Sequence, residues 1–327
     1  MTRSRTTPPL VIAHRGACGY LPEHTLEAKA LAVGLGADYL EQDVVISRDD
    51  ELIVSHDIHL DRVTNVAEVF PGRQRDDGRF YVRDFDLAEL RQLLVWERFS
   101  DDEGRETVFP DRFPARSGRF RIATLDDELQ MVAGLNRSRK RRIGIYPELK
   151  APAWHRTEGV DGARLLLAAL SRYGYTSKAD PVFLQCFDAR ELRRIREELG
   201  CRLRTVQLIA DNSWGESDTD YEQLLTAQGL ENVAEYADAI GPWLRQLYVL
   251  APIDGTPVSS GLVSLAHSAG LEVHPYTFRA DALEPCFEDF DTMVHWFCDT
   301  LGIDGLFTDF PDLAISALTL TNTDAGL

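Results

Sequence analysis

Three short stretches concentrate residues able to do acid–base and metal chemistry. "VIAHRGACGYLPEHTLEAKA" (11–30) carries an apolar run straight into His14 and Arg15, with Glu23 soon after. "YLEQDVVI" (39–46) holds Glu41 and Asp43, and beyond the turn "SRDDE" the run "LIVSHD" reaches His56. "IGIYPELK" (143–150) holds Glu148 and Lys150. Residues i and i+2 of a strand share a face, about 7 Å apart, so Glu41 and Asp43 point the same way, as do Glu148 and Lys150. Three carboxylates on neighbouring buried strands repel one another and lose hydration unless a cation joins them. Oxygen ligands suit one divalent cation, Mg²⁺ or Ca²⁺, rather than zinc. A salt-bridge network is the competing account, and it suffices for Glu148 and Lys150 taken alone. Two histidines near a cation and a guanidinium suit cleavage of an anionic ester, one imidazole removing a proton and the other delivering one. His24, His59, His155 and His267 sit in polar loop or helical sequence and read as incidental. Glu23 reads as a partner that supports the site, and Cys18 as a small loop filler without an activating neighbour.

Those groups need a scaffold that brings strand ends together. Eight apolar runs rich in β-branched and aromatic residues serve: 10–13, 39–46, 143–149, 182–187, 203–209, 237–242, 271–278 and 305–309. Helical sequence lies between them. Thr25 opens one helix that closes on glycine, Asp188 with Glu191 makes a capping-box-like start, and Ser259 or Ser260 can open another. "RSRKRR" (137–142) follows a helix and reads as a cap for its C-terminal dipole. Eight strands each followed by a helix imply an α/β fold, the (β/α)8 TIM barrel, whose chemistry sits at the C-terminal strand ends. An open doubly wound sheet is the rival, but no GxGxxG follows the first strand. Residues 57–122, rich in Asp, Arg and Gly, interrupt the rhythm. They read as an insertion within a single catalytic domain spanning 1–327, partly loop and partly a helix over "LAELRQLLVWERF", and too polar for a core of their own.

Composition removes other classes. The 327 residues carry 35 Lys+Arg against 53 Asp+Glu, a formal charge of −18, which repels nucleic acid and anionic membranes. No run approaches the ~18 apolar residues of a membrane span, so neither a nucleic-acid partner nor stable membrane association is expected. Five cysteines without a CxxC pair fit a reducing compartment. "MTRSRTTPPL" is basic but no apolar stretch of signal-peptide length follows it. A cytoplasmic location is expected, or a periplasmic one if a leader has been removed.

Taken in order, "AHRG", "PEHT", "LEQDVVISRDDELIVSHD", "ATLDD", "YPELK", "LQCFD" and "DGLFTDFPD" resemble the glycerophosphodiester phosphodiesterases, in particular the larger bacterial subtype of broad specificity. The resemblance covers the whole barrel. It implies metal-dependent hydrolysis of small-molecule glycerophosphodiesters to sn-glycerol 3-phosphate and an alcohol. It implies His14 and His56 as the catalytic pair, Glu41, Asp43 and Glu148 as metal ligands, and Arg15 and Lys150 as phosphate contacts. Water and the neighbouring glycerol hydroxyl both remain open as first nucleophile. "QCF" stands where a serine usually precedes the phenylalanine, and Tyr276 where an aromatic residue, often tryptophan, is expected. Phe187 and Tyr276 are accordingly expected on the alcohol side. A phospholipase-like barrel would need a membrane-docking face, and a binding protein with a dead site would lack one of these residues.

Overall fold

Parallel pairing of the apolar runs builds the sheet. In the computed structural model, which describes residues 8–100 and 106–324, the strands are β1 (Leu10–Ala13), β2 (Tyr39–Ile46), β3 (Leu52–Val54), β4 (Gly144–Leu149), β5 (Phe183–Cys186), β6 (Arg204–Ile209), β7 (Ala239–Pro242), β8 (Tyr248–Leu250), β9 (Pro257–Ser259), β10 (Glu272–Val273) and β11 (Gly305–Thr308). The main sheet runs β10-β7-β6-β5-β4-β2-β1-β11, all parallel. Its two ends meet through Asp304 N–H to Val273 O, Phe307 N–H to Pro275 O and Phe278 N–H to Phe307 O. The result is an eight-stranded barrel wrapped by helices, as the alternating pattern predicts.

The expected strand over 271–278 is ordered as a ladder only at Glu272–Val273. Pro275 has no N–H to donate, so beyond it the chain keeps single contacts to its neighbours rather than a regular ladder. Every residue of β2 and β4 is buried, the signature of parallel strands covered on both faces. Side chains of Ile12, Tyr39, Tyr146, Phe183, Val206, Ala239 and Phe307 fill the barrel below the site. Tyr146 stacks on Phe183 with ring centroids 4.9 Å apart, and its hydroxyl meets His274 Nδ1 at 2.7 Å.

The helices follow their caps with two differences. Thr25 caps Leu26–Leu35, which ends on left-handed Gly36. Asp188 accepts from Glu191 N, but the Glu191 carboxylate turns to Arg156 and Arg194 instead of closing a capping box. Gly261, not a serine, occupies the N-cap of Leu262–Ser268; the Ser259 and Ser260 hydroxyls accept from the N–H groups of Gly261 and Leu262. In "RSRKRR", Arg137 and Arg139 occupy the last turn of their own helix, Leu125–Arg139, as expected, while Arg141 donates to the carbonyls of Gly36 and Ala37 just past the end of Leu26–Leu35.

β3 folds back antiparallel on β2, and Ser55 N–H bonds Asp43 O at 2.9 Å, so His56 follows directly. The chain then leaves for residues 57–122 and returns at the same place, through Val54 N–H to Ala123 O and a bridge between Ile53 and Thr124. Residues 101–105 of that segment, and most of the basic N-terminal stretch, lie outside the described residues. The helix expected over "LAELRQLLVWERF" is a single turn, Leu87–Leu90. After it the backbone bonds across the segment instead, Leu94 N–H to Asn65 Oδ1, Val95 N–H to Phe120 O and Trp96 N–H to Val63 O. That turns Leu90, Leu93 and Val95 into a small apolar cluster with Leu60, Phe80, Phe85 and Ile122, packed on Val45 and Ile53 of the hairpin.

Candidate active site

The barrel register places the acidic groups in one layer. Asp43 lies opposite Glu148 and Glu148 opposite Gln185, with Glu41 one pleat below Asp43. His14, Arg15, Glu41, Asp43, His56, Glu148, Phe187 and Tyr276 all line one cavity of about 260 Å³. Lys150, the remaining residue singled out in the sequence, is turned aside. Its Nζ lies 2.9 Å from Glu148 Oε1 and 3.7 Å from Glu216 Oε2, and it borders an adjoining cleft.

His14 closes β1, and its Nδ1 meets Asp309 Oδ1 at 2.6 Å. Against the cost of burial, the charges of Arg279 and Arg112 and the hydrogen bond from His14 hold Asp309 well below the usual carboxylate range. Arg112 and Arg279 reach its other oxygen at 2.7 and 2.8 Å. An ionised carboxylate only accepts, so Nδ1 carries the hydrogen and Nε2 keeps its lone pair. Burial, then the Arg15 charge, lowers His14 to about 4. His56 has the same construction: Nδ1 bonds Asp57 Oδ1 at 2.7 Å, and burial with the charges of Arg15 and Lys150 lowers its pKa. Asp57 is anchored in turn by Arg98 at 2.7 Å.

Arg15 occupies the left-handed region, φ 56°, which turns its N–H onto Glu41 Oε2 at 2.6 Å while its side chain reaches Glu23 at 3.0 Å. Glu23 also takes Arg98 at 2.6 Å, which makes it the brace expected from the sequence. His24 is not incidental. It is buried, and its Nε2 meets Asp43 Oδ2 at 2.7 Å. Its polar loop context hid this, because the contact depends on the chain folding over the barrel mouth at left-handed His24, φ 60°. Sequence reasoning also missed Asp309, Asp57, Arg98, Arg112 and Gln185. Asp309 carried a usable signal, since it ends the apolar run of β11 as His14 ends β1. Cys18 is buried with its thiol pKa pushed up by burial, which suits a filler.

The acidic layer fits a cation. Burial and mutual repulsion raise Glu41 and Glu148, while against burial the His24 hydrogen bond holds Asp43 low. Asp43 Oδ1 is buried and receives no donor among the described residues. An orphaned carboxylate oxygen beside two crowded carboxyls is a hard oxygen site for a divalent ion. His24, Glu41 and Asp43 offer ligand atoms within 4.8 Å of one another.

The Glycerophosphoryl diester phosphodiesterase family matches residues 14–313. The chain belongs to that family. Glycerophosphodiester phosphodiesterases of Haemophilus influenzae and Treponema pallidum are 42% and 39% identical to it, over 94% of this chain and 89% and 91% of theirs. It is accordingly an enzyme, a phosphoric diester hydrolase acting on glycerophosphodiesters. Two solved structures share the fold. The enzyme of Agrobacterium tumefaciens superposes with TM-score 0.60 at 23% identity, over 94% of this chain and 99% of that one. An Oleispira antarctica phosphodiesterase, in complex with the product sn-glycerol-3-phosphate, gives 0.64 at 19% over 95% and 97%.

Proposed function

We propose that this family member hydrolyses glycerophosphodiesters to sn-glycerol 3-phosphate and an alcohol, using one divalent cation, Ca²⁺ or Mg²⁺, held by Glu41, Asp43 and Glu148. The observation that carries the reading is the pair of histidines, each backed by a carboxylate, opening onto the cavity those acids floor. When bound, the cation supplies positive charge to the nonbridging phosphate oxygens. Arg15, fixed by Glu23, adds a planar fork of donors to the same oxygens. Lys150 contributes charge from beside Glu148.

His14, neutral at physiological pH with Nε2 free, is suited to take the proton of the attacking hydroxyl. His56 is the more exposed imidazole, its side chain 27% accessible, so it exchanges protons with solvent and delivers one to the leaving alkoxide. Phe187 and Tyr276, rings 6.0 Å apart at right angles, form an apolar wall against the substrate's carbon atoms. We assign the segment 57–122 to the same catalytic domain, a reading supported by Arg98 reaching Glu23 and Arg112 reaching Asp309. Among the described residues no helix is long and apolar enough to cross a membrane; the free cysteines favour a cytoplasmic location, with a periplasmic one after leader removal as the alternative.

Release of glycerol 3-phosphate from glycerophosphocholine tests the reading. Activity should vanish in EDTA and return with Ca²⁺ or Mg²⁺. Full turnover after exhaustive chelation would remove the cation from the account.

A further inference from the structure

A second chamber, about 230 Å³, adjoins the first. The two share His14, Arg15, His56 and Arg279 as a partition. On the far side stand Glu97, Arg98, Phe109 and Arg112, all from the 57–122 segment. One feature is unaccounted for by the chemistry above. Glu97 is 4% exposed, yet its Oε2 has no hydrogen-bond partner among the described residues. A buried carboxyl left without a partner is costly, on the order of 1–3 kcal/mol, and it lines a cavity that opens on the reacting groups. We propose that this chamber takes the alcohol half of the diester when that alcohol carries hydroxyl groups, with Glu97 as the specificity-determining contact. The proposal rests on the function proposed above and names the substrate class that the site favours.

The chemistry of the walls decides for a polyol over a cationic headgroup. Four guanidiniums, Arg15, Arg98, Arg112 and Arg279, face the carboxyls of Glu23, Asp309 and Glu97, and Arg98 and Arg112 pair with Asp57 and Asp281 as well, so each guanidinium is already matched by a carboxylate. A quaternary ammonium has no hydrogen to donate to the orphaned Glu97 oxygen. The one aromatic face that could hold it, Phe109, is already covered by Arg112, whose guanidinium carbon lies 3.7 Å from the ring centroid. An anionic headgroup finds the guanidiniums already engaged by Glu23, Asp57, Asp281 and Asp309. Hydroxyls suit both kinds of wall, since they accept from guanidinium and exchange hydrogen bonds with a carboxyl in either protonation state. Burial, with the nearby Glu23 charge, pushes the Glu97 carboxyl up to about 8, so near neutrality it offers an O–H donor as well as an acceptor. The volume corresponds to about seven waters at roughly 30 Å³ each, enough for a glycerol-sized group. This placement moves the alcohol away from Phe187 and Tyr276. Those two then face the glycerol half, beside the carboxylates.

The test compares kcat/KM for glycerophosphoglycerol and glycerophosphocholine in the wild type, Glu97→Leu and Glu97→Gln. The wild type should favour the glycerol headgroup by about tenfold, the worth of one satisfied buried hydrogen bond. Glu97→Leu should erase most of that preference, and Glu97→Gln, which still donates and accepts, should keep most of it. A wild type that prefers choline overturns the proposal, and so does a ratio unmoved by Glu97→Leu. Equal losses on both substrates also overturn it, because they would place Glu97 against the shared half or in the fold. If the leucine variant does not fold, the glutamine variant decides by keeping or losing the preference. Failure of the wild type to hydrolyse either diester, cation present, overturns the proposed function, and this inference with it.

Discussion

Asp309→Asn isolates what the carboxylate behind His14 does. Asp309 uses its two oxygens differently: Oδ1 takes His14 Nδ1 at 2.6 Å, and Oδ2 takes Arg112 and Arg279 at 2.7 and 2.8 Å. An asparagine must keep its single oxygen toward the two guanidiniums, because an NH₂ group there would meet only donors. Its NH₂ therefore faces His14, and Nδ1 has to become the acceptor. The ring hydrogen moves to Nε2, the nitrogen that should remove a proton, and the base is lost without any change in shape. The same substitution behind the histidine of a serine-protease triad costs about 10⁴ in kcat. We expect about 10³–10⁴ here, equivalent to about 4–5.5 kcal/mol of barrier at 1.36 kcal/mol per decade. KM should move by less than about fivefold, since the phosphate contacts stay. The assay is steady-state glycerol 3-phosphate release from glycerophosphocholine with saturating cation, alongside a thermal melt to show that the variant is folded. A folded variant retaining more than about a tenth of wild-type kcat would refute the tautomer argument.

Three further outcomes are expected. Arg15→Lys keeps the charge but loses the planar fork, and kcat/KM should fall at least about tenfold; equal activity would reduce Arg15 to a general electrostatic contributor. His56→Ala should cost about 10²–10⁴ in kcat, while His267→Ala, which removes only a contact to Asp304, should leave turnover near wild type. A fully active His56 variant would strip it of an acid role. His155 is buried with neither ring nitrogen bonded among the described residues, and burial lowers it to about 4 from 6.5. The unfolded chain therefore binds the extra proton first, and stability falls as pH drops through that interval. Melting temperatures at pH 7 and 4.5 should show a smaller fall for His155→Leu, and an identical fall would remove His155 from the acid response.

The barrel and its acidic strands were legible because their signals are local. Glu41 and Asp43 share a face by strand periodicity alone, and the turn at "SRDD" returns His56 beside them whatever the rest of the chain does. The supporting groups were not legible, because their roles are set by contacts between distant parts of the sequence. Asp309 meets a histidine 295 residues away, and Arg98 meets Glu23 from 75 residues on. His24 looked like a loop residue because nothing within a few positions marks it as buried. The helix expected over 87–99 failed for a related reason. Its apolar spacing is real, but its backbone bonds are taken by Asn65, Val63 and Phe120.

The 57–122 segment departs from and returns to one spot on the hairpin, pinned by Val54 N–H to Ala123 O and by the Ile53–Thr124 bridge. Length and content between those pins can therefore vary without sliding β2 or β3, so Glu41, Asp43 and His56 keep their spacing. Closing a loop of twice the length adds only about 0.6 kcal/mol. With selectivity placed on the segment as proposed, the ladder carries the reacting groups and the segment is a graft tied to them through Asp57, Arg98 and Arg112. Grafting a different segment between Asp57 and Ile122, with arginines retained opposite Asp57 and Asp309, is a route to enzymes that cut the same bond for other alcohols.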